Sequence, residues 1–231
     1  MTDSRTAEEN LNLIRSLMER STLYRTVSVP GAAWGGFLSV GAWLVSRGWD
    51  LENPQGRHTF LGLWIVVLAL TVAGNLFFLT REARQTGRAT FSPGYWTAGR
   101  SLFPSFFCAG FFTLALGFFP LGRAAAAAVP FLLALIWILF YGLGLLATQH
   151  FAPRSIVVLG GLFLLTPLLW LLIVGSLTVY APDSWLRAHL PVHPSALMAL
   201  TFGGYHLGYA LIVPLLERKN GPGKEEPPHG L

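Results

Sequence analysis

Six long apolar runs separated by short polar stretches constrain this chain more than any other feature of its sequence. They cover approximately residues 27–46, 59–80, 101–121, 125–148, 155–180 and 195–216, and every Lys, Arg, Asp and Glu lies outside them. At about 1.5 Å per residue, each is long enough to cross a hydrocarbon core of roughly 30 Å as a helix. The expected fold is all-α: a polytopic membrane protein with six transmembrane helices. A cytoplasmic amphipathic helix at 1–26 precedes the bundle at 27–216, and a disordered cytoplasmic tail at 217–231 follows it.

Composition narrows the function classes. With 53% hydrophobic and 12% charged residues, the chain carries about half the charge of a soluble domain. The net charge of +5 does not point to nucleic acid, because the basic residues sit between apolar runs and form no aromatic-interleaved polar face. Cys108 is the single cysteine and falls inside the third run, which leaves no intrachain disulfide and no cysteine metal site. Residues 1–26 contain four Arg and four acidic residues without an apolar core, so they are not read as a signal peptide and the N-terminus is expected to be retained.

Charge also predicts orientation. Of the 16 Lys and Arg, 12 fall in the terminal and alternate segments that share a side with the N-terminus, and 4 fall in the other loops. By the positive-inside rule both termini are cytoplasmic. On that side, Leu11, Ile14, Leu17, Met18 and Tyr24 recur at helical intervals behind a Thr6/Glu9 capping pair. The 81–100 loop adds Arg81, Arg84, Arg88 and Arg100, suited to anionic headgroups. The bilayer is the first expected partner, and a protein docked on these two cytoplasmic segments is the second.

Prolines and small residues make local predictions. Pro30, Pro104 and Pro130 are expected in the first turns of their helices, where a missing N–H costs little. Pro167, in the middle of the fifth run, is expected to kink it. Gly31 and Gly35 in the first run, and Gly204 and Gly208 in the sixth, have the four-residue spacing that lets helix backbones approach in lipid.

Chemistry inside the runs is sparse, with no acid, lysine or arginine to serve a coupled transporter or pump. His206, flanked by Tyr205 and Tyr209, lies near mid-bilayer and is the first site candidate; Asn75 and Thr166 complete the set. One reading of His206 is a ligand, haem base or proton relay. The other is a neutral imidazole hydrogen-bonded to Asn75 or a threonine on a neighbouring helix. No second histidine matches its depth, so haem is disfavoured and no cofactor is expected. No metal site is expected either. His189 and His193, with Asp183 and His58, are the only group that suggests one, and Pro191 and Pro194 break the helix that would align them. Phosphate loops and nucleophile elbows are absent.

These readings favour a non-enzymatic interaction, accessory or sensor subunit. The alternatives are a small transporter or channel with a path near His206 and Asn75, and a membrane redox or metal-binding subunit. Three stretches carry a resemblance: Leu13-Ile-Arg-Ser-Leu-Met-Glu-Arg-Ser-Thr before the Gly-rich first run, Gly99-Arg-Ser-Leu-Phe-Pro at the third, and Gly203-Gly-Tyr-His-Leu-Gly closing on Glu-Arg-Lys-Asn-Gly. Together they resemble a group of uncharacterised bacterial six-span integral membrane proteins. The resemblance implies a bacterial inner-membrane location and the six-span layout, and it maps no catalytic residue.

Overall fold

The structure, a computed structural model, describes residues 28–85, 93–119, 122–181, 183 and 193–219. The amphipathic segment at 1–26 and the tail from 220 lie outside the described residues, as does His189. What is described is all-helical, without strands, and six helices are long and apolar enough to cross a membrane. They are α1 (Val29–Ser46), α2 (Pro54–Gln85), α3 (Pro93–Phe118), α4 (Arg123–Ala147), α5 (Arg154–Tyr180) and a sixth span in three parts. The sixth consists of α6 (Pro194–Met198), a π-helical segment (Ala199–Tyr205) and α7 (His206–Lys219).

Helix ends differ from the sequence expectation chiefly by extension of α2, α3 and the sixth span beyond their apolar runs, although α1 starts two residues late and α3 stops at Phe118. α2 starts before the second run and continues through Arg81 and Arg84, and α3 starts at Pro93. The 81–100 segment is therefore mostly helix, with residues 86–92 between the two helices outside the described set. Helical backbone also persists to Lys219, three residues into the stretch read as a tail. Pro30 sits in the first turn of α1, where Ser28 Oγ accepts the Gly31 N–H at 3.1 Å. Pro104 and Pro130, by contrast, are internal to α3 and α4 rather than in first turns, because polar or small residues ahead of the apolar runs already satisfy helical geometry. Pro167 is fully buried inside α5, which continues on both sides of it.

Close backbone approach builds the core. Gly142 of α4 lies directly on α5: a Cβ there would fall 2.6 Å from Leu164 N and 2.9 Å from Gly160 O. Two residues on, Gly144 faces α3 through Leu102 and Ser105, so one short stretch of α4 receives a helix on each side. α1 divides its glycines similarly. Gly31 and Gly35 meet Asn75 and Thr71 of α2, whereas Gly36 meets Leu207 and the Gly203 carbonyl of the sixth span. Small-residue packing is thus satisfied inside the bundle. The sixth-span glycine that provides it is Gly203, not the expected Gly204 and Gly208, which have open space where a Cβ would go.

A buried hydroxyl pair ties α1 to the sixth span at the far end of that contact. Ser46 and Ser195 are both fully buried, with their oxygens 2.7 Å apart, and Ser46 also reaches the Ala42 carbonyl. Removing Ser46 leaves the buried Ser195 hydroxyl without a partner, whereas removing Ser195 leaves Ser46 still donating to the Ala42 carbonyl. Ser46→Ala is therefore expected to lower stability by about 1–2 kcal/mol, Ser195→Ala by less, and the double variant by less than the sum. Denaturation in a mild detergent reads the coupling directly.

Candidate functional site

The site grows out of an irregularity in the sixth span. A π-helical turn carries one more residue than an α-turn, and such turns gather at functional positions. Here the widened stretch contains Gly203-Gly204 and ends beside His206. It delivers Phe202, Tyr205 and His206 towards α4 and α5.

His206 is 7% exposed, and both ring nitrogens are bonded. Nδ1 lies 2.8 Å from the Phe202 carbonyl, which can only accept, so Nδ1 carries the hydrogen. Nε2 then accepts from the Tyr141 hydroxyl of α4 at 2.7 Å. The Phe163 ring from α5 stands 5.4 Å from the imidazole, and Phe202 stacks on it at 6.2 Å with planes 10° apart. Tyr141, Phe163 and Phe202 also contact one another, with centroids 4.7–5.2 Å apart. The imidazole is enclosed in an aromatic layer that joins α4, α5 and the sixth span.

The other expected residues divide around this layer. Tyr205 reaches Thr166 of α5, oxygen to oxygen at 2.7 Å; since Thr166 donates to the Leu162 carbonyl, Tyr205 donates to Thr166. Phe163 packs edge-on against Tyr205 at 5.3 Å, so Tyr205 and Thr166 border the His206 layer. Tyr209 is half-buried against the core. Asn75 stands apart, facing Gly31 near the start of α1. The hydrogen-bonding partner of His206 is therefore Tyr141 rather than Asn75 or a threonine. Mid-span tyrosines need partners for their hydroxyls, and Tyr141 was legible in the sequence on that ground alone.

Between α2 and α3 lies a cavity of about 550 Å³ whose floor includes Tyr141, Phe202 and His206. α2 and α3 approach at Leu61 and Gly117. Beyond that point the cavity separates them, and α1 and α4 supply its back wall through Ser39, Trp137 and Phe140. The reason is the peripheral position of α3. It packs chiefly on α4, with Trp137 Nε1 donating to Thr113 Oγ1 at 2.7 Å. No residue of its most apolar stretch is buried, whereas 22–50% of the corresponding stretches in the other spans is. Exposed Ile65, Leu68, Phe107, Phe111 and Leu114 form the rim.

No family model, curated protein or solved structure matches the chain. What it does must be read from its own side chains. Among the described residues no three His, Cys, Asp or Glu stand close enough together to hold a metal ion.

His193 has a local task instead: its Nδ1 accepts the Ser195 N–H at 3.3 Å, capping α6. Burial holds its protonation below the usual imidazole range, and the neighbouring Trp49 backbone partly opposes that shift. A histidine whose folded-state affinity for a proton is lowered stabilises the fold fully above the unfolded value of about 6.5. That contribution is lost as pH falls below it, because the unfolded chain binds the proton first. The melting temperature is expected to drop on acidification from pH 7 towards 5, and His193→Asn, which keeps a capping oxygen, is expected to flatten part of the slope.

Proposed function

We propose that this protein is a non-enzymatic accessory or sensor subunit of the bacterial inner membrane, with both termini cytoplasmic, working through the gap between α2 and α3. The observation that carries the reading is the pairing of an opening at membrane depth with a closed floor. The rim residues Ile65, Leu68, Phe107, Phe111 and Leu114 belong to the apolar parts of their spans, so an occupant enters from the bilayer rather than from water. Beneath it, the aromatic layer around His206 seals the way onward.

This arrangement argues against the transporter reading. A path past His206 requires wet, exchangeable groups, and here the Tyr141 proton is directed to Nε2 while the Nδ1 proton is directed to a backbone carbonyl of the same helix. No Asp, Glu, Lys, Arg or second His within the six apolar runs lies on either side to continue a relay. Purified protein in liposomes loaded with a pH-sensitive dye is expected to leak protons no faster than protein-free liposomes. A flux that His206→Gln abolishes would favour the transporter.

A further inference from the structure

The sixth span is held on one side of its π-helical turn and loose on the other. Ahead of the turn, Ser195, Leu197 and Met198 are buried, and the Ser195 hydroxyl meets Ser46 of α1. Past it, α7 lies along α1, but no residue from Leu207 to Leu216 is buried. His206, where the turn ends, is the last buried side chain among the described ones of the span.

The His206 imidazole stands in for a backbone donor. In an α-helix the His206 N–H would donate to the Phe202 carbonyl, four residues back. Here that N–H donates to the Gly203 carbonyl instead, and Nδ1–H takes the Phe202 carbonyl at 2.8 Å. The π form is rare against the α form, and a buried carbonyl needs a donor. The side chain supplies one at the exit of the widened turn, while Tyr141 of α4 fixes the ring through its other nitrogen.

We infer that the sixth span is a two-register device: His206, held by Tyr141, latches the π-helical turn, and release of the imidazole lets the turn close to α-helix and rotate α7 about its own axis. With α6 fixed, the place of each residue past the turn passes to the residue before it, a rotation of about 100° at 3.6 residues per turn. Three observations support this. The His206 N–H lies next to the carbonyl it would reclaim, so closure exchanges one hydrogen bond for another. The residue before His206 is Tyr205, so the position facing Tyr141 receives a second hydrogen-bonding ring. Beyond His206, α7 has no buried side chain up to Leu216 to resist turning, and it is helical to Lys219, so the rotation reaches the charged end at Glu217, Arg218 and Lys219. Tyr141, Phe202 and His206 also line the gap between α2 and α3. The inference rests on the gap reading for what works the latch, and it gives that reading an output at the end of the span.

Oxygen accessibility of a nitroxide at position 210 or 212, in full-length Cys108→Ala protein in nanodiscs, reads the facing of α7. Ile212 is 55% exposed and Ala210 is half-buried, so the label at 212 is expected to be the more accessible. His206→Phe/Tyr141→Phe keeps the aromatic layer, leaves neither hydroxyl nor imidazole unpaired, and removes the latch. With it the order is expected to invert, because 210 takes the place of exposed Leu211 and 212 that of half-buried Val213. Deleting Gly204 from the double variant takes out the spare residue of the turn and is expected to restore the original order. An unchanged order in the double variant, its failure to fold, or an inversion that the deletion does not reverse would each overturn the device. All three leave the gap reading standing, which falls instead if position 111 on its rim captures nothing that lipid-facing position 172 does not.

Discussion

Gly142→Val is expected to be the most damaging single substitution in this protein. The Cβ of any residue at 142 meets the α5 backbone, at Leu164 N and the Gly160 carbonyl, and neither can rotate away as a side chain could. Overpacking in a tight core costs roughly 1–3 kcal/mol when side chains can adjust; here whole helices must separate, which places the effect of valine at or above the upper end of that range. Stabilities of small domains are about 5–15 kcal/mol, so a large share would be lost. Gly142→Ala should retain measurable folding with reduced thermal stability, and Gly142→Val should give little monodisperse protein. Gly204→Ala is the control, since open space lies where its Cβ would go. Size-exclusion profiles and melting curves of the three variants measure this directly.

Removing the imidazole is expected to have the second-largest effect. His206→Ala deletes the acceptor for the Tyr141 hydroxyl, which is then left in an aromatic layer without a partner, and opens a cavity among Phe163, Phe202 and Tyr141. An orphaned buried hydroxyl costs about 1–3 kcal/mol, and the cavity adds to that. His206→Ala should therefore lower stability by about 3 kcal/mol. Tyr141→Phe removes one partner and leaves His206 Nε2 without its donor, for about 1–3 kcal/mol. The double variant His206→Ala/Tyr141→Phe should lose less than the two together, because no polar group then remains unpaired.

The number and type of elements were legible because lipid imposes a length and a polarity that few other environments demand. His206 stood out for the same reason, as the one basic side chain deep in a run without charges. Partners were harder to read. Apolar runs have no polar face to mark which side packs, so nothing in the periodicity of 125–148 pointed Tyr141 at the sixth span, or Asn75 at Gly31. Glycine spacing was similarly ambiguous. The Gly31/Gly35 pair packs on α2 as small residues should, but the π-helical turn displaces the register of the sixth span, so that Gly203 takes the role expected of Gly204 and Gly208. A Gly-Gly pair in mid-span was the available signal for that turn. The gap between α2 and α3 had none, since it arises from how far α3 sits from its neighbours and not from any residue type.

The working surface of the protein is claimed to be that gap. Its most direct test is site-specific photo-crosslinking in native membranes, with p-benzoylphenylalanine placed at position 111 on the rim of the gap or at position 172 on the lipid-facing side of α5. A discrete adduct from position 111, of defined mass and absent at position 172, is the predicted result. Indistinguishable, diffuse lipid adducts from both positions would contradict it.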